Sequence, residues 1–125
     1  MVEIALQNGL LPRRSNAAID ATGLETRHVS RYFQWRKGIR VEAVTYPKLT
    51  AVCDLESHLV LAAHVSLGPS VDQPQFKPAM TDAVAAQPIA RLLGDKGYDA
   101  EHNHVLCREQ LGIDTTVIPA RRNCK

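Results

Sequence analysis

Ile89-Ala90-Arg91-Leu92-Leu93-Gly94-Asp95-Lys96-Gly97-Tyr98-Asp99 is the stretch on which the reading of the fold turns. Pro88 ends the segment before it, because proline lacks the amide hydrogen and clashes with the preceding helical turn. The apolar run through Asp95 then reads as a short strand, Gly97 turns the chain, and Asp99 is placed to cap a second helix. Asp95 therefore falls at the carboxyl end of a strand that leads into a helix. An apolar strand followed at once by a helix is the local mark of an α/β arrangement rather than of an all-β one.

Upstream, Gly68-Pro69-Ser70 is a stop, Asp72 or Ser70 is placed to cap, and residues 73–86 carry Phe76, Met80, Ala83 and Val84 at helical spacing, with Pro74 suited to a first turn. Before that stop lies an expected hairpin. Leu49-Thr50-Ala51-Val52-Cys53-Asp54 and residues 58–67 flank a polar break at Glu56-Ser57, and Leu59, Leu61, Ala63, Val65 and Leu67 repeat every second residue, which predicts one apolar face. Earlier still, residues 16–22 form a short apolar strand expected to end near Asp20. Downstream, Ala100, His104, Cys107 and Leu111 mark one helical face, Gly112 sits at a left-handed cap position, and residues 113–119 supply a last strand. The expected order is a three-stranded meander followed by helix, strand, helix and strand. It predicts a mixed α/β sheet with helices packed on it.

A chain of 125 residues with 45% hydrophobic and 22% charged residues suits one folded domain, which sets aside pervasive disorder, collagen and coiled coil. Residues 1–15 read as a poorly defined leader. A net charge of +2 does not by itself indicate a nucleic-acid partner. No apolar run reaches membrane-spanning length and the start lacks the features of a signal peptide, so the expectation is a cytoplasmic protein. The three cysteines, Cys53, Cys107 and Cys124, have no short paired spacing, and reduced thiols are expected, with Cys53 and Cys107 in the core.

Asp20 and Asp95 each close an apolar strand. If those strands are neighbours, the two carboxylates converge as hard oxygen ligands for magnesium or manganese, the ion type that promotes in-line attack at a phosphodiester. The alternative from spacing alone is that both merely satisfy turn amides, a common use of aspartate. His102 and His104 with Cys107 do not make a zinc site, since positions two apart on a helix point to nearly opposite sides. His104, on the apolar stripe, reads as a hydrogen-bonded core residue.

The segments Ala18-Ile19-Asp20-Ala21-Thr22-Gly23-Leu24-Glu25, Leu93-Gly94-Asp95-Lys96-Gly97-Tyr98-Asp99 and Val117-Ile118-Pro119-Ala120-Arg121-Arg122-Asn123 resemble the DDE transposases of bacterial insertion sequences. Lys48-Leu49-Thr50-Ala51-Val52 and Gly68-Pro69-Ser70-Val71-Asp72 also look like that family, so the resemblance spans nearly everything after Asn16. It implies a ribonuclease H-like domain over residues 16–125, incomplete at its C-terminus. It also implies that Asp20 and Asp95 are the first two acidic residues of the catalytic triad, with Mg2+ or Mn2+ as cofactor. The family's third acidic residue, a glutamate on a helix beyond the Ile-Pro-x-Arg segment, has no counterpart here, and neither Glu109 nor Asp114 matches its position. The implied function is DNA transposition by a catalytic-domain fragment defective alone, acting on insertion-sequence ends and associated with the nucleoid when bound.

Residues 26–41 hold Arg27, Arg31, Arg36, Lys37 and Arg40 without an acidic residue, interleaved with Tyr32, Phe33 and Trp35. Such a segment neutralises phosphates and stacks on bases, which makes Arg27, Arg31, Tyr32, Trp35, Arg36, Lys37 and Arg40 the expected DNA contacts. The alternative is a solvated cationic face with Phe33 and Trp35 packed on the core. A non-catalytic remnant that binds DNA or a full-length transposase is the alternative function.

Overall fold

A computed structural model describes residues 2–24, 36 and 45–122. At its centre is strand β1 (Ser15–Gly23), in which Ser15, Ala17 and Ile19 are buried while Asn16 and Asp20 are exposed, the period-two pattern of a strand with one covered face. Strand β2 (Tyr46–Asp54) runs antiparallel to it, and β3 (Val60–Gly68) antiparallel to β2. On the other side of β1, strand β4 (Ile89–Gly94) pairs in parallel, and β5 (Thr115–Val117) pairs in parallel with β4. The sheet order is β3-β2-β1-β4-β5, open and mixed, as the meander followed by alternating elements predicts.

One face of the sheet is covered by a helix that a 3-10 turn introduces. Gln73–Gln75 form that turn, with Pro74 where no amide hydrogen is needed, and α2 (Phe76–Ala86) follows. Pro78 is the third residue of α2, still in the first turn, so its missing donor costs no helical hydrogen bond. Phe76, Ala79, Met80 and Ala83 recur at i, i+3, i+4 and i+7, and all are buried with Ile19, Val52 and Leu92 of the sheet. Burying each larger apolar side chain in this layer contributes about 1.5–3 kcal/mol. Helix α1 (Val2–Gln7) lies before β1, and Ala5 and Leu11 join the same core. The Gln87 amide ties this segment down by donating to the Pro12 carbonyl (2.7 Å).

After β4, a 3-10 turn (Lys96–Tyr98) leads into α3 (Glu101–Val105), which widens into a π-helical turn (Leu106–Gln110). The widening follows from the Leu111 amide bonding the Leu106 carbonyl (3.1 Å), five residues back. Gly112 ends the helix at φ +66°, the left-handed cap expected of it.

Three local expectations change. The alternating run ending at Leu67 does not present one buried face: Leu61 and Ala62 are both buried, whereas Val65 and Leu67 are 75% and 69% exposed. The cause is a register shift, because Val52 pairs with Ala62 but Cys53 pairs with Val60, and the extra residue Leu61 inverts the alternation. Asp72 occupies the cap position of the Gln73 turn yet makes no capping hydrogen bond, since its carboxylate is taken by Lys48. Asp99 does not cap α3, whose N-cap is Ala100; its carboxylate accepts from the Arg121 amide (2.7 Å) instead. Of the thiols, Cys107 is buried and Cys53 partly so, both free. Cys124 lies outside the described residues.

Candidate active site

The parallel ladder between β1 and β4 has Ile19 opposite Gly94 as its last pair, and Asp20 and Asp95 are the next residue on each chain. Adjacent strands lie about 4.8 Å apart, so these two positions are neighbours at one edge of the sheet. Alternation puts Asp20 with Ala18, and Asp95 with Leu93, on the face turned away from α2. Both carboxylates are exposed. β1 does not end near Asp20; it continues to Gly23 because β2 remains its partner as far as the Gly23–Lys48 pair. What ends after Ile19 is the pairing with β4, whose chain turns off at Asp95.

Each aspartate is oriented by the amide that follows it. The Ala21 amide donates to Asp20 Oδ1 (2.8 Å), and the Lys96 amide donates to Asp95 Oδ1 (2.7 Å). That leaves Oδ2 of each side chain for an external partner, a hard donor set of the kind magnesium and manganese take. Among the described residues, no group of three or more His, Cys, Asp or Glu side chains is placed to hold a metal ion. Two carboxylates are thus the donors that this edge presents.

The turn carrying Asp95 is braced from three directions. Arg121, beyond β5, donates from Nε to the Lys96 carbonyl (3.1 Å) and from Nη2 to the Gly97 carbonyl (2.8 Å). Its amide, and then His104, hold the Asp99 carboxyl below the usual carboxylate range. His104 reaches Thr116 through Nδ1 (2.7 Å) and Asp99 through Nε2 (3.3 Å), so it is the hydrogen-bonded residue its place on the stripe suggests. Below the turn, the Tyr98 ring is fully buried, tilted 45° against Phe76 at 5.7 Å. The Asn103 amide donates to the Tyr98 carbonyl (2.9 Å).

The pairing of Lys48 with Asp72 was not legible in the sequence, where Asp72 reads as a helix cap and Lys48 has no assigned role. Lys48 lies on β2 in the buried phase with Thr50, Val52 and Asp54, and its ammonium pairs with Asp72 and donates to the Ser70 carbonyl (2.6 Å). A lysine in the buried phase of a strand is the one signal that could have flagged it. Of the expected DNA contacts, Arg27, Arg31, Tyr32, Trp35, Lys37 and Arg40 lie outside the described residues, and Arg36 is exposed.

An open mixed sheet of order β3-β2-β1-β4-β5, with two aspartates at the point where its central parallel strands part, is the plan of a ribonuclease H-like α/β domain. Residues 12–125 match the family model described as the transposase DDE domain, and the chain belongs to that family. No curated protein matches the chain. Membership places it in DNA transposition, in a family that acts on DNA and generally uses a divalent metal. No helix among the described residues is long and apolar enough to cross a membrane.

Proposed function

We propose that this chain supplies the two-aspartate part of a metal-dependent site for DNA strand cleavage and transfer at insertion-sequence ends, with Asp20 and Asp95 as the residues that hold Mg2+ or Mn2+. The observation that carries the reading is the Ile19–Gly94 pair, which makes Asp20 and Asp95 neighbours. A divalent cation bound there supplies Lewis-acid polarisation of a phosphodiester. The chain's own part is to present two carboxylate oxygens on fixed backbone. The Ala21 and Lys96 amides lock the orientation, and Arg121 holds the Lys96–Gly97 carbonyls in place. Exposed Lys96, next to Asp95, and exposed Arg122 provide positive charge that attracts a DNA backbone, and by sequence alone residues 26–41 add five further basic residues to the chain.

A second reading has its own support. Two carboxylates hold a cation weakly, and the described residues bring no third donor to them. On that reading the protein binds DNA or a full-length transposase without cutting.

A labelled nicked duplex separates the two. Cation-dependent product from the wild type, absent with Asp95→Asn, supports cleavage. DNA bound equally by wild type and Asp95→Asn, with no product from either under Mg2+ or Mn2+, supports the non-catalytic reading.

A further inference from the structure

Three strands, β1, β4 and β5, run parallel and lie side by side, so their carboxyl ends share one edge of the sheet. In open α/β sheets that edge is where ligands bind. Asp20 and Asp95 stand there, and the chain leaving β5 brings Arg121 to the same edge. The carbonyls that Arg121 holds belong to Lys96 and Gly97, so its guanidinium is anchored no more than two Cα steps, about 8 Å, from Asp95.

The fold uses only part of that guanidinium. Nε and one hydrogen of Nη2 form one edge of the planar group, and these take the Lys96 and Gly97 carbonyls (3.1 and 2.8 Å). The next edge, the other Nη2 hydrogen beside a parallel Nη1 hydrogen, makes no hydrogen bond among the described residues, and the residue is exposed. Asp99 does not neutralise it at ion-pair distance: Oδ2 accepts from the Arg121 amide (2.7 Å) and Oδ1 faces His104 (3.3 Å). A fork of two parallel N–H groups matches two oxygens of a phosphate. Two carbonyls already restrain the side chain, so it loses little further freedom on taking one. Asp20 and Asp95 repel an anion, and a fixed positive charge beside them offsets that repulsion.

We propose that Arg121 is a phosphate-binding residue of this edge: its outer Nη1–Nη2 edge takes a phosphodiester of the DNA strand that lies across Asp20 and Asp95, while its inner edge stays on the Lys96 and Gly97 carbonyls. The contact reads the DNA backbone and carries no base preference. It sets where the strand lies relative to Asp95, because the same side chain grips the turn that presents that aspartate. This inference rests on the proposed reading of the edge as the DNA site.

The test is fluorescence anisotropy of the labelled nicked duplex without divalent cation, across a salt series, repeated with a second duplex of unrelated sequence. Wild type, Arg121→Gln and Arg121→Lys are compared, and circular dichroism follows the thermal unfolding of each. Arg121→Gln is expected to bind about tenfold more weakly, by the same factor on both duplexes, and to lower the slope of log affinity against log salt by about 0.9, the value of one phosphate contact. Arg121→Lys is expected to keep most of that slope yet bind more weakly than wild type, since an ammonium cannot hold two carbonyls and fork a phosphate at once. A mere brace for the turn would lower the unfolding temperature of Arg121→Gln and leave affinity and slope at wild-type values, and that result overturns the inference. So does a loss confined to one duplex, or wild-type affinity in Arg121→Lys; that second variant decides if Arg121→Gln does not fold. The cleavage reading is judged apart, by cation-dependent product from wild type and its loss in Asp95→Asn. A wild type that binds DNA without product sinks cleavage alone, and the phosphate contact stands if Arg121→Gln binds weakly. A wild type that binds no DNA overturns both.

Discussion

Ile19 stands opposite Gly94 on the last rung of the parallel β1–β4 ladder, and the two residues fit because Gly94 has no side chain. A Cβ there would lie 3.3 Å from Ile19 Cγ2, 3.4 Å from Ile118 Cγ1 and 3.5 Å from Tyr98 Cδ2. Gly94→Ala would gain about 0.4–1 kcal/mol by restricting the unfolded chain, against an overpacking cost of about 1–3 kcal/mol. The expected net is a loss of about 1 kcal/mol, read by urea unfolding. Because the strain falls on the residue before Asp95, Mn2+ affinity is expected to drop with it. An unchanged midpoint would show that Ile19 and Ile118 yield freely.

Phe76 joins α2 to both the sheet and Tyr98. It is fully buried at the first position of the helix, with its ring centroid 5.7 Å from that of Tyr98. Phe76→Ala is expected to lower stability by about 3–5 kcal/mol, through lost transfer energy and the cavity left behind. For a domain of ordinary marginal stability that is a large share of the total, so circular dichroism should show a much lower unfolding temperature or no transition.

Acid should unfold the protein through two carboxylates. Burial pushes the Asp54 carboxyl up, but the Ser57 hydroxyl and amide, each donating at 2.7 Å, hold it below its ordinary value on balance. Asp99 is held down by the Arg121 amide and His104. A group whose folded pKa is depressed contributes stability that is present above the unfolded value of about 3.9 and lost as pH falls through the folded value. Stability is therefore expected to be level near neutrality and to fall below about pH 4. Asp54→Asn should flatten that fall in a series of urea titrations; an equally steep profile would remove Asp54 from the account.

The buried thiol should be inert. Burial pushes Cys107 up to about 11, and Cys53 is raised by the same cause. Since the thiolate is the reactive form, Cys107 is expected to resist alkylation by iodoacetamide at pH 8 until the protein is unfolded. Mass spectrometry of labelled peptides reads this directly, and rapid labelling of Cys107 in the folded protein would contradict its placement in the core.

Much of the architecture is written in local pattern. The Pro88 stop, the apolar stripe of α2 and the glycine cap at Gly112 are each set by neighbours a few residues apart and appear where the pattern puts them, whereas strand ends move: β1 runs on to Gly23, and the last strand, expected over 113–119, is Thr115–Val117. The order of elements indicates a mixed α/β sheet, and the resemblance carried by the motifs around Asp20 and Asp95 implies a ribonuclease H-like transposase domain, with which that order agrees. The exposure of Val65 and Leu67 was not legible, because a single extra residue at Leu61 inverts a period-two pattern and only the pairing partner reveals it.

Sequence by itself determined which residue types stand at the ends of which strands, since periodicity and turn chemistry act over short chain distances. Tertiary structure decided what those residues meet: Asp20 beside Asp95, Lys48 on Asp72, and Arg121 on the Lys96–Gly97 carbonyls. Each of these depends on contacts between segments far apart in the chain, where register and packing select the partner and local propensity carries no information about it.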